Sequence, residues 1–246
     1  MCDLCGDVQH RPRLTRRNFL RTGALAALAP WAPGVARAAD PPAPGAAPPP
    51  NAIVPADALK RLMEGNARYA ANTPNERDFS SGRAARAQAQ YPIAAILGCA
   101  DSRVAPELTF DQAPGDLFVV RVAGNIVTPD LLASLEYGVQ FLGAPLIIVL
   151  GHSGCGAVDA AIKVLKTKAV LPGKLPQLVG AIKPAVAAVE KAQNGTLLDN
   201  ATAENVRRQV ARLKRSAPVI ANAYATKKID IVGGVYDLAT GKIAMV

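Results

Sequence analysis

Beyond residue 10 the chain of 246 residues holds two cysteines and one histidine: Cys99, Cys155 and His152. All three fall in two short stretches punctuated by glycine. One is Gly98-Cys99-Ala100-Asp101-Ser102-Arg103, which sets a carboxylate and a guanidinium beside the thiol. The other is Gly151-His152-Ser153-Gly154-Cys155-Gly156. Thiolate sulfur and imidazole nitrogen are ligands that zinc favours, and structural zinc sites close with four of them. Three protein ligands leave the fourth position to water or a carboxylate, which is the pattern of a catalytic zinc site. Taken singly, a free cysteine is more often a small buried hydrophobe, and a lone histidine a satisfied core residue. Confinement of the whole set to two such stretches favours the metal.

These ligands meet only if the elements before them run side by side. The apolar runs 93–97 and 145–150 read as buried strands, one leading to Cys99 and the other to His152. His152 and Cys155 are three positions apart, so one loop presents both, and Cys99 reaches across from the neighbouring strand end. In open α/β sheets that carboxyl edge is where ligands bind. Elsewhere, Pro55 starts a helix with Leu59, Leu62, Met63 and Tyr69 at helical spacing, and 82–90 forms a shorter one. A short helix follows the 101–103 turn, a strand covers 117–123, and Pro129 opens a helix over 130–142. Helices are expected over 156–166, 171–191 and 202–224, then strands over 229–236 and 242–246 joined near Thr240-Gly241. The fold class is α/β, a mostly parallel central β-sheet flanked by helices with a C-terminal antiparallel hairpin. There is no internal repeat, and residues 55–246 read as one domain.

Half of the residues are hydrophobic and 4% aromatic, so the core is built from Ala, Val, Leu and Ile. The formal charge is +9, but residues 1–38 carry six Arg against two Asp; the remainder holds 22 basic and 17 acidic residues, or +5. The basic run 207–215 lies on a predicted helix with Val206, Val210 and Leu213 and lacks aromatic stacking partners, so it reads as a solvated face rather than a nucleic-acid footprint. Residues 1–38 form a twin-arginine signal peptide: Thr15-Arg16-Arg17-Asn18-Phe19-Leu20-Arg21, then a small-residue apolar segment, then Ala36-Arg37-Ala38 as an A-x-A cleavage site. The apolar segment is too short for a stable membrane anchor and is broken by Pro30 and Pro33. The expected location is therefore the periplasm, reached in folded form through the twin-arginine export machinery. Such export lets thiols load with metal before they meet oxidising conditions. Residues 39–54 form a Pro/Ala-rich linker. Cys2 and Cys5 with His10 make a weak metal or redox signal inside the leader.

Four motifs, CADSRV (99–104), PGDLFVVR (114–121), SLEYGV (134–139) and GHSGCGAV (151–158), together resemble the β-class carbonic anhydrases. The resemblance extends by order of elements from Asp57 to the C-terminus and is sharpest over 90–158. It implies that Cys99, His152 and Cys155 hold one Zn2+ per chain, and that Asp101 and Arg103 form a catalytic dyad. It also implies a substrate pocket of Gln90, Phe118 and Tyr137, with Tyr137 contributed by a partner subunit in a homodimer or dimer of dimers. The reaction would be reversible hydration of carbon dioxide to bicarbonate and a proton, with zinc lowering the pKa of its water to about 7 so that hydroxide attacks. Two anionic thiolates donate more charge to the metal than three imidazoles, and Asp101 is expected to compensate by accepting a hydrogen bond from that water. Arg103 would keep Asp101 off the metal. In a closed state Asp101 itself would ligate zinc, as some family members do at low pH. The ordinary alternative for Asp101 and Arg103 is a structural ion pair capping the next helix.

Other readings share parts of this pattern. A zinc alcohol dehydrogenase uses the same ligand types but needs a G-x-G-x-x-G after a strand, which is missing here. The same zinc site could hydrolyse carbon disulfide or carbonyl sulfide. A non-catalytic thiol redox or metal-binding protein would leave Asp101, Arg103 and Gln90 without a task.

Overall fold

A computed structural model describes residues 49–246. The leader, the Cys2/Cys5 motif and linker residues 39–48 lie outside the described residues. Four parallel strands, β1 (Ala94–Gly98), β2 (Leu117–Arg121), β3 (Leu146–His152) and β4 (Asp230–Tyr236), form a sheet with the antiparallel β5 (Ile243–Met245). The order is β2-β1-β3-β4-β5. All residues of β1 and β3 are buried. Strands covered on both faces need apolar side chains at every position, which is why these two read as continuous apolar runs.

Side chains alternate between the faces. On one face Ile96, Ile148 and Leu150 pack with Ala58 and Leu62 of α1 (Pro55–Ala70), and with Phe110 at the end of α3 (Pro106–Thr109). On the other, Ala95, Leu97, Ile147 and Val149 meet Leu135 of α4 (Pro129–Gln140), Val206 and Leu213 of α7 (Leu197–Lys214), and Ile220 of α8 (Val219–Ala225). The helix α2 (Arg83–Gln88) precedes β1, and α5 (Gly156–Thr167) and α6 (Leu175–Val189) follow β3. Asn66 is buried on α1, yet its amide donates to the carbonyls of Thr109 and Gly241 and its oxygen accepts from Ile243 N–H. That satisfied side chain ties the first helix to the last hairpin. Asn51 likewise donates to the carbonyls of Pro92 and Leu142, so the chain already meets the domain before α1 begins.

The register decides where the ligands emerge. Gly98 pairs with Arg121 on one side and Leu150 on the other, so Cys99 leaves β1 beside Gly151 and His152 of β3. Gly151 also lets α7 approach, since a Cβ there would stand 2.7 Å from Val206 Cγ2.

Two helical expectations differ from the structure. The predicted 202–224 helix is two helices: Thr196 caps Asp199 N–H, so α7 starts at Leu197, and Pro218 has no N–H with which to continue it. The predicted 171–191 helix begins at Leu175, after Gly173 turns the chain at φ +58°. Among the described residues no helix is long and apolar enough to cross a membrane.

Candidate metal centre

Cys99, His152 and Cys155 are all buried, and their ligand atoms lie within 4.8 Å of one another. His152 Nδ1 stands 2.9 Å from the Ser153 carbonyl, which only accepts, so Nδ1 carries the proton and Nε2 keeps its lone pair. That Nε2 is buried with no hydrogen-bond partner. An orphaned imidazole nitrogen facing two thiols fits a soft divalent metal, with the second ring nitrogen held by a carbonyl as ligating histidines usually are. Cys155 is the residue from which α5 starts.

The thiols behave as one acid. Cys99 titrates well below the ordinary thiol range because Cys155 donates to it; burial opposes this, and His152 and the Gly124 amide assist. Cys155 is pushed far up by that same bond, by burial and by the neighbouring negative charge, while the amides of Ala157 and Val158 at the start of α5 work the other way. The second sulfur cannot ionise beside the first unless a cation takes the place of the shared proton. Burial disfavours charge on His152, but the Cys99 thiolate outweighs it and raises the ring's pKa.

Asp101 stands outside the ligand cluster but next to it, with Oδ2 3.8 Å from His152 Nε2. Its Oδ1 accepts from Arg103 N–H at 3.0 Å and Nε at 2.9 Å, and its Oδ2 accepts from Arg103 Nη2 at 2.8 Å. The Arg103 side-chain bonds hold this carboxyl far below the usual carboxylate range against modest desolvation. Arg121, at the end of β2, donates to the carbonyls of Cys99 and Asp101 and so fixes the turn that carries both. Arg121 closes the PGDLFVVR segment, but nothing in its spacing announces a contact to residues 99–101.

The three expected pocket residues are not brought to the cluster by their own chain. Gln90 is exposed and precedes β1, at the opposite end of the strand from Cys99. Phe118 pairs with Ala95, four strand positions before Cys99, or roughly 13 Å along the strand. The Tyr137 ring on α4 packs 6.2 Å from Phe118 and is 47% exposed.

A mostly parallel sheet that carries two thiols and an imidazole at its carboxyl edge, with a clamped carboxylate beside them, defines an α/β fold with a candidate catalytic metal centre. The family model described as carbonic anhydrase matches residues 94–243. A carbonic anhydrase of Mycolicibacterium smegmatis is 40% identical over 192 residues, covering 78% of this chain and 93% of the relative. Carbonic anhydrase 2 of Mycobacterium tuberculosis is 38% identical over the same length, covering 78% and 92%. Among solved structures, the β-carbonic anhydrase CcaA superposes with TM-score 0.59 at 30% identity, covering 76% of this chain and 94% of that one. The Coccomyxa β-carbonic anhydrase in complex with acetazolamide gives TM-score 0.59 at 29% identity, covering 76% and 86%. The chain belongs to the β-class carbonic anhydrase family, whose function is zinc-dependent hydration of carbon dioxide.

Proposed function

We propose that this protein hydrates carbon dioxide reversibly at one zinc ion held by Cys99, His152 and Cys155. The observation that carries this reading is the buried, unpartnered His152 Nε2 facing two thiols, with the Arg103-held Asp101 at 3.8 Å. When bound, zinc supplies the Lewis acidity that brings a water pKa down to about 7.

The chain's own residues do the rest. Asp101 is ionised at any working pH because Arg103 donates to both of its oxygens, and the free lone pair on Oδ2 accepts a hydrogen bond and orients the attacking oxygen. The same fork keeps the carboxylate from swinging onto the ligand set; release of Arg103 would close the site. Gln90, Phe118 and Tyr137 line the pocket only if a second copy delivers them, with Gln90 donating to bicarbonate. The exposed rings of Tyr137 and Phe141, 5.3 Å apart, supply an apolar face for such a homodimer or dimer of dimers. His10 and His152 are the chain's two histidines, and His10 belongs to the leader, so the proton leaves to buffer or by carboxylate and tyrosine routes. The twin-arginine pattern and A-x-A site support export of the folded enzyme to the periplasm.

The test is stopped-flow hydration on purified mature protein from about pH 6.5 to about pH 9, either side of the water's expected pKa, with zinc measured on the same sample. Rapid hydration with about one zinc per chain is expected. No zinc with an oxidised Cys99–Cys155 pair would refute the reading and leave a thiol redox protein.

A further inference from the structure

Gly124, in the 3-10 turn Ala123–Asn125 after β2, donates its N–H to Cys99 Sγ at 3.3 Å. It is buried at φ +72°, and a Cβ there would stand 2.6 Å from Ile182 Cδ1, so only glycine fits. Hydrogen bonds fix the two peptide units that flank it, the first through its N–H to Cys99. On the C-terminal side they come from α7. Asn205 Nδ2 donates to the Gly124 carbonyl at 2.8 Å. Gln209, one turn on, donates to Asn205 Oδ1 at 3.4 Å and accepts from Val127 N–H at 2.9 Å. Within the turn Asn125 N–H closes onto the Val122 carbonyl. Asn205 and Gln209 are 1% and 5% exposed, so these amides are committed to the turn rather than to water.

From this geometry we infer that Asn205 is a positioning residue for the metal centre, aiming the Gly124 N–H at the Cys99 sulfur from α7, with Gln209 holding the Asn205 amide. The inference rests on the zinc reading of the site. An N–H···S bond withdraws electron density from a thiolate, and two thiolates donate more charge to a metal than three imidazoles would. Asn205 thereby keeps the metal acidic without touching it.

The experiment compares wild type, Asn205→Leu and Val206→Ala, each loaded with cobalt(II) and, separately, with zinc. Val206 is buried on the same helix but makes no bond to the turn, so it reports packing loss alone. Asn205→Leu is expected to move the sulfur-to-cobalt charge-transfer band to longer wavelength and to weaken zinc about 10- to 100-fold in chelator competition. Val206→Ala should lower the melting temperature and leave the band in place. A folded Asn205→Leu protein with the wild-type band overturns the inference. If leucine at 205 prevents folding, Asn205→Ser, too short to reach Gly124, is read in the same way. On wild type loaded with NMR-active cadmium, the Gly124 amide proton should show scalar coupling to the metal, and its absence also overturns the inference. A wild-type protein that takes up none of the three metals overturns the zinc reading and the inference with it.

Discussion

Asp101→Asn separates chemistry from metal binding, and the structure indicates how large the effect should be. The native carboxylate presents acceptors in every direction. Its Oδ1 takes two bonds from Arg103, through N and Nε, and its Oδ2 takes one from Nη2 while facing His152 Nε2 at 3.8 Å. Asparagine has one acceptor oxygen, and the two donors at the Oδ1 position claim it. The amide NH2 then occupies the Oδ2 position, where it opposes Nη2 and turns a donor toward the site in place of an acceptor. The charge is lost as well, and native Asp101 is ionised throughout the working range. Removing one positioned hydrogen-bonding group at the reacting oxygen costs about 10²- to 10³-fold in rate. Folding should change little, because Arg103 is 59% exposed and exposed ion pairs contribute weakly. Zinc should stay, because the three ligand residues are untouched. Stopped-flow hydration, zinc content and thermal melting on one preparation give the three readouts. A zinc-replete Asp101→Asn enzyme of wild-type activity would refute the dyad, and equal loss of zinc and activity would move Asp101 into the resting ligand set.

Further predictions concern the ligands, the acid limit and the packing behind the site. His152→Ala should drop zinc far below one per chain on dialysis against a mild chelator, while the sheet melts cooperatively, since the ring contributes its lone Nε2 to the metal. Asp111 has a fully buried carboxylate, which burial alone would raise. Arg77 and Arg68 bond to it at 2.5 Å and 2.7 Å, and with the Asn75 amide they bring its pKa below the ordinary 3.8. Its contribution to stability is therefore complete above 3.8 and lost as pH falls through the lower folded value. Asp111→Asn should accordingly flatten the acid end of a stability-against-pH series measured by urea unfolding. Gly151→Ala puts a Cβ 2.7 Å from Val206 Cγ2 and should cost about 1–3 kcal/mol, with much of the loss recovered in the Gly151→Ala/Val206→Ala double variant. Simple additivity of the two changes would count against that clash.

Much of the centre is legible because its chemistry is scarce. Cys99, His152 and Cys155 are the cysteines and histidine beyond residue 10, and they stand at the ends of two strands so uniformly apolar that burial on both faces is already implied. A local sequence pattern encodes strand, turn and the Asp101–Arg103 pair two residues apart, because the interacting groups are neighbours along the chain. Long-range polar contacts carry no such mark. Asn205 and Gln209 sit beside Arg207 and Arg208 in a stretch that reads as a solvated basic helix face, and only packing of α7 over Gly151 turns the two amides inward to a turn 81 residues earlier. Asp111 with Arg68 and Arg77, and Arg121 with the Cys99 and Asp101 carbonyls, are equally silent in one dimension. Sequence alone determined which atoms could bind the metal, since ligand chemistry belongs to residue type. Tertiary structure decided which backbone N–H meets the Cys99 sulfur and where Phe118 stands, because direction and distance between distant residues arise only when separate segments pack.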